Sequence, residues 1–165
     1  MTKDKKAEDS LELLKGEYIK LSKEYDLPNF DKMNSYFDLE LIELSNTNLP
    51  LRRIRKQMLE KVYYYLRVFE NLLNPANATI FVFSFVKSLD SSDQELIKRL
   101  YSDMSKFEIH SFGLEINYNK ELEAQIIKEI YEFWEENCQV LDKLYLSFKE
   151  NYKLDTKKQN KSYFG

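Results

Sequence analysis

The chain has 165 residues and a net charge of −3, with 25 Lys and Arg against 28 Asp and Glu. It holds 12 Tyr and 11 Phe but only 3 Gly, 3 Pro, 1 Cys and 1 His, which excludes most catalytic constellations that need several His or Cys or a glycine-rich phosphate loop. An apolar share of 43% is too high for a disordered chain, so one folded domain is expected over 7–152, between a flexible N-terminus at 1–6 and a disordered basic tail at 153–165.

Few Gly and Pro leave few forced breaks, and Lys and Glu favour helix, so the expected fold is all-α: an elongated bundle of about five to six helices. The first runs from about Ala7 to Tyr25, with Leu11, Leu14, Tyr18, Leu21 and Tyr25 on one face, and Asp26-Leu27-Pro28-Asn29 ends it. A second spans about Phe30 to Leu44 on a stripe of Phe30, Met33, Phe37, Leu41 and Leu44. After a polar loop, Asn48 suits a cap and Pro50 the first turn of a third helix reaching Leu73. Its stripe is Leu51, Ile54, Met58, Val62, Tyr65, Phe69 and Leu72, widened by Leu59, Tyr63 and Leu66, so this helix should be central.

Asn74-Pro75 stops it, and the apolar run at 80–86 reads as part of a short buried helix or as a strand. Ser92-Asp93-Gln94-Glu95 has the pattern of a capping box and marks a helix start. From there Leu96, Leu100, Met104, Phe107, Ser111, Leu114 and Tyr118 form a stripe, yet residues 112–118 also alternate like a strand. The alternative fold is therefore α-rich, with a two-stranded ribbon pairing 80–86 and 112–118. The last helix should run from Asn119 to Tyr152, long enough at 1.5 Å per residue to support self-association as a homo-oligomer.

Arg52, Arg53, Arg55 and Lys56, at the start of the third helix, form the most suggestive cluster. Backbone amides at a helix N-terminus favour an anion and arginine adds bidentate geometry, but cations at that end oppose the helix dipole and call for a compensating anion nearby. Acidic residues concentrated at 24–43 and 108–136 are one internal source, and a partner is another. Tyr64, on the side opposite the apolar stripe, is expected at the surface, and Lys157, Lys158, Lys161, Tyr163 and Phe164 resemble a terminal docking peptide.

Glu129, Glu132 and Glu136 are spaced to share a helix face, as in metal-binding bundles, but the apolar seam is offset from them. His110 lies beside an apolar stripe as a boundary or core residue, and Cys138 has no basic neighbour in sequence to activate it. No catalytic, cofactor or metal constellation is found, and the longest apolar stretch, Ile80 to Val86 with Ser84 inside it, falls far short of the roughly 20 residues of a membrane helix. With no secretory leader pattern and a single cysteine, the expected protein is soluble and cytoplasmic, without a membrane partner. Its expected function is a non-catalytic protein-interaction or adaptor module using Arg52, Arg53, Arg55, Lys56 and Tyr64. The alternatives are an RNA- or ribosome-associated factor using the same basic patch and tail, and a metal-dependent bundle enzyme using the late glutamates.

Overall fold

The computed structural model describes residues 3–42, 48–77, 82–83, 86–87 and 89–162, and for 3–10, 77 and 151–162 the backbone alone. The fold is an all-α helical bundle. Five α-helices lie within the described residues: α1 (Lys3–Tyr25), α2 (Phe30–Phe37), α3 (Pro50–Leu73), α4 (Ser91–Ile116) and α5 (Lys120–Ser162). Single turns of 3-10 helix occur at Leu39–Leu41 and Pro75–Asn77, and no strand occurs among the described residues. The ribbon alternative fails at 112–118, because α4 continues to Ile116 and keeps Leu100, Met104, Phe107, Ser111 and Leu114 on one buried face. Residues 80–86 lie largely outside the described residues. Of these, Val82, Phe83 and Val86 are helical, and Phe83 is exposed rather than buried.

The helix ends show why the chain turns where it does. Asp26 takes a left-handed φ of 53°, and the Leu27 N–H returns to the Ser22 carbonyl at 3.2 Å, closing α1 with the buried Leu27 as its hydrophobic latch. The Tyr18 hydroxyl donates to the Pro28 carbonyl at 2.7 Å, and Asn29 then caps α2 by accepting from the Asp31 N–H at 2.9 Å.

α2 is shorter than the stripe from Phe30 to Leu44 predicts. Asp38 adopts φ 51° and its N–H returns to Asn34, while the Asn34 side chain accepts from the Glu40 N–H at 2.8 Å and donates to the Glu40 carboxylate. This local closure outweighs periodicity, so Leu39 is buried and Leu41 is 70% exposed; Leu44 lies outside the described residues. Two side chains one turn apart on α3 satisfy the last carbonyls of α2: Gln57 donates to Phe37 at 3.3 Å and Lys61 to Tyr36 at 2.5 Å. The Lys61 ammonium also lies 4.9 Å from the Trp134 ring centre, and burial lowers its pKa.

α3 matches its predicted limits, from Pro50 in the first turn to Leu73, and Leu51, Ile54, Met58, Val62, Phe69 and Leu72 are all buried. α4 begins two residues earlier than the Ser92–Glu95 pattern implies, and its cap is different. The Asp90 carboxylate accepts from the Asp93 N–H and from the Ser92 hydroxyl, both at 2.8 Å, while Glu95 pairs along the helix with Lys98. A carboxylate is a stronger acceptor for that amide than a hydroxyl, so aspartate takes the capping position. α5 is capped by Asn119, which accepts from the Leu122 N–H at 2.8 Å. It runs past Tyr152 to Ser162, through residues where the sequence predicts a disordered tail. No Gly or Pro interrupts that stretch, and Lys and Gln sustain helix.

The described helices pack as two compact units. One comprises Met1–Tyr63 with Lys106–Glu135, and the other Tyr64–Ser105 with Glu136–Gly165. Aromatic edges close the first: Tyr18 against Phe30 at 5.3 Å, Phe37 against Trp134 at 5.6 Å and Phe107 against Phe133 at 5.6 Å between ring centres. The second has a core that includes Leu66, Phe69, Leu72, Ile97, Leu100 and Leu144.

The Asp93 amide and the Ser92 hydroxyl hold the Asp90 carboxyl below its ordinary value. Its contribution to stability is therefore complete above about pH 4 and is lost as pH falls through the depressed value. Asp90→Ala should lower the thermal midpoint at pH 7 more than either Ser92→Ala or Glu95→Ala, as read by circular dichroism. A larger loss from Ser92→Ala would return the cap to the serine.

Candidate functional site

The cationic cluster is built on the first turns of α3, and the structure turns two of its four residues, Arg52 and Arg55, inward. Arg55 is fully buried. Its Nε donates to Glu123 Oε2 at 2.5 Å and one Nη to Glu123 Oε1 at 3.3 Å, so the pair is bidentate. The same Nη donates to Glu115 at 2.7 Å, and the other Nη donates to the buried Ser111 hydroxyl. Arg52 donates through Nη2 to the Leu114 carbonyl at 2.8 Å, lies 3.5 Å from Glu123 through Nε, and stacks over Tyr118 with 5.0 Å between guanidinium and ring centre. Lys56 is exposed and pairs with Glu115 at 3.2 Å.

The electrostatics are those of a closed circuit. Burial works against the Arg55 charge, but hydrogen bonds and the field of Glu123 and Glu115 outweigh it, so its pKa lies above the ordinary arginine value. The hydrogen bond from Arg55, with help from Lys56, holds the Glu115 carboxyl below its ordinary value. The anions that the cluster calls for therefore come from the acidic segment at 108–136, one of the two internal sources read in the sequence. The other, at 24–43, supplies Asp31 to Lys15 instead.

Arg53 and Tyr64 are both at the surface, the latter 64% exposed and stacked edge-on with Tyr65. Arg52, Arg53, Arg55 and Lys56 lie in the first compact unit, while Tyr64 begins the second. Lys157, Lys158 and Lys161 belong to α5 in backbone only, and Tyr163 and Phe164 lie outside the described residues. Glu132 and Glu136 are exposed and Glu129 is partly so, and no cluster of three or more metal-ligating side chains occurs among the described residues. No helix of the described residues is long and apolar enough to cross a membrane.

What the cluster braces is more informative than what it displays. Its three partners on α4, Ser111, Leu114 and Glu115, and its partner on α5, Glu123, flank the short turn 117–119. Where these two helix ends meet there is a groove of about 530 Å³, lined by Ile109, His110, Gly113, Leu114, Asn117, Leu122, Gln125, Ile126 and Glu129. Ile109, Phe112 and Ile116 are 65–69% exposed and stand at i, i+3 and i+7, a second apolar stripe on the side of α4 away from its buried one. Leu122, at the start of α5, is 49% exposed at the groove. His110 is also exposed rather than buried, with Nδ1 3.9 Å from Glu129, because it sits on the groove side of α4.

Comparison with protein-family models, curated proteins and solved structures found no match. Ile109 and Glu123 carry no role in the sequence-based site, and each had a signal. The spacing of Ile109, Phe112 and Ile116 is helical, but the strand-like alternation at 112–118 competes with it. Glu123 lies one residue after the exposed Leu122, and the buried positions Ala124, Ile127, Ile130 and Trp134 show that it faces inward.

Arg55→Ala strands a buried carboxylate and should cost about 3–5 kcal/mol in chemical denaturation. The paired change Arg55→Met with Glu123→Leu should cost less than the sum of the two single changes by about 1–3 kcal/mol. Strict additivity would show that the pair does not interact. Glu115 stabilises above the ordinary glutamate pKa near 4.3, so the gap in thermal midpoint between the parent and Glu115→Gln should close as pH falls below about 4.

Proposed function

We propose that the chain is a non-catalytic protein-interaction module whose docking surface is the groove between the end of α4 and the start of α5. The observation that carries this reading is the second apolar stripe, Ile109, Phe112 and Ile116, exposed on α4, with Ile109 also lining the groove against α5. Exposed apolar side chains are ordinary when scattered, but three on one helix face, one of them at a concavity, are the kind of grouping that marks an interaction site.

This reading moves the contact surface away from Arg52 and Arg55. Both spend their charge on Glu123, and Arg55 has no exposed atom to offer a partner. Arg53 and Lys56 stay at the surface of α3 as secondary candidates. The nucleic-acid reading drew on the same cluster, and Arg52, Arg55 and Lys56 each already have a carboxylate within ion-pair distance. A soluble, cytoplasmic setting suits a reduced single cysteine and remains part of the proposal.

A photo-cross-linking amino acid placed at Phe112 in the native cell should yield a discrete cross-linked protein, identifiable by mass spectrometry. The same probe at Tyr145, exposed on α5, serves as the control. Ile109→Ser with Ile116→Ser should abolish the product while changing stability by less than about 0.5 kcal/mol per site, because both side chains are largely exposed. No product at 112 above the control position would reject the module reading.

A further inference from the structure

Gly16 is the residue of α1 that the fold itself does not explain. It sits in mid-helix, where glycine is disfavoured relative to alanine, yet its φ is not positive and a Cβ built on it meets nothing within 4 Å. Leu14 and Tyr18 are buried, so the inner face of α1 is already committed to the core. The outer face holds Leu13 at 72% and Ile19 at 50% exposure. Over it lies a concavity of about 580 Å³, lined among the described residues by Glu12, Leu13, Gly16, Glu17 and Lys20.

The pattern of this face is symmetric about the glycine. Leu13 and Ile19 stand three residues before and after Gly16, and Glu12 and Lys20 stand four residues before and after it with opposite charge. At about 100° per residue, Glu12, Gly16 and Lys20 share one stripe, and Leu13 and Ile19 border it on its two sides. Glu12 and Lys20 are exposed, and neither takes part in an ion pair among the described residues. The dipole of α1 favours acid before base along the helix, but it explains neither the glycine nor the two exposed apolar side chains.

Such a face is complementary to itself. If two copies of α1 cross antiparallel about a two-fold axis at Gly16, residues equally far before and after the glycine come opposite each other. Each Glu12 then faces Lys20 of the second copy. Leu13 of both copies borders one side of the crossing and Ile19 of both borders the other, while the absence of a Cβ at the axis lets the two backbones approach closely. A parallel pairing would set Glu12 against Glu12 and Lys20 against Lys20, which like-charge repulsion opposes. A partner of one charge sign meets both signs on this stripe, whereas a second copy running the other way meets each charge with its opposite.

We infer that the outer face of α1 is a self-association surface, on which a second copy of this chain docks antiparallel with its own Gly16 at the crossing. A single helix pair lies at the small end of specific interfaces, so the dimer should be weak, with a dissociation constant on the order of 10–100 μM. The groove between α4 and α5 takes no part in this contact.

Sedimentation equilibrium of the full chain at low ionic strength, over about 1–300 μM, should show a reversible monomer–dimer equilibrium. Glu12→Lys or Lys20→Glu alone sets like charges opposite each other at two places in the dimer and should weaken it at least about tenfold. Glu12→Lys combined with Lys20→Glu re-forms both pairs and should recover most of that loss, as should mixing the two single variants, which then pair with each other. Gly16→Leu should weaken the dimer about tenfold or more, while its thermal midpoint holds or rises by about 2–4 °C, since leucine is the better helix former. A chain that stays monomeric over the whole range overturns the inference. So does a dimer that the single changes leave intact, or a combined change no tighter than either single one. A dimer that Phe112→Asp dissolves and Glu12→Lys does not also overturns it, because the second copy then sits on α4.

Discussion

A guanidinium with no exposed surface is tolerable only if its charge and its donors are met, and in this fold the residues around Arg55 do so. Glu123 takes two of its hydrogen bonds, Glu115 and Ser111 take others, and Arg52 shares the same carboxylate. Such a cluster adds little net stability over a well-packed apolar core, but its centre tolerates almost no displacement, because the buried Arg55 and Glu123 lack water as a substitute. What it gives the molecule is position. The end of α4, the turn after it and the start of α5 are each tied to the first turns of α3 through atoms whose geometry is directional.

That positional constraint accounts for the groove. Ile109 and Leu122 line it and stay exposed, while Phe112 and Ile116 are exposed on α4 outside its lining. The opposite face of α4 is already committed, through Leu114, Phe107 and Ser111, to the core and to Arg55. The helix therefore carries two apolar faces, one satisfied internally and one not. An all-helical protein with few glycines places one of its 3 at this site.

How far this was legible in sequence follows from which signals compete. The course of α3 was readable almost residue by residue, because a strong 3.6-residue period over Leu51 to Leu72 has no local rival. α2 was not, since the Asn34–Glu40 side-chain closure and the left-handed Asp38 are decided by hydrogen bonds that periodicity does not see. The cap of α4 went to Asp90 because two acceptors adjoined the helix start and only their geometry separates them. The charge pattern was legible at the level of segments: cations at a helix N-terminus required anions, and the acidic run at 108–136 supplied them. It did not reach residues, because whether an arginine displays or buries its charge depends on which face of a distant helix holds a glutamate.

The way the two compact units share the chain bears on how the protein can be handled. Each is assembled from two separated stretches, and α3, α4 and α5 each pass from one unit to the other within a single helix. No one pair of chain boundaries isolates either unit, and the stretch 64–105 is, in connectivity, an excursion between Arg55 and the residues that neutralise it. The charge cluster therefore cannot form while the chain is still being made up to Ser105. It assembles only after α4 and the first turns of α5 have been synthesised, and the groove, whose lining ends at Glu129, needs none of the residues from Glu136 onward that the second unit takes from α5.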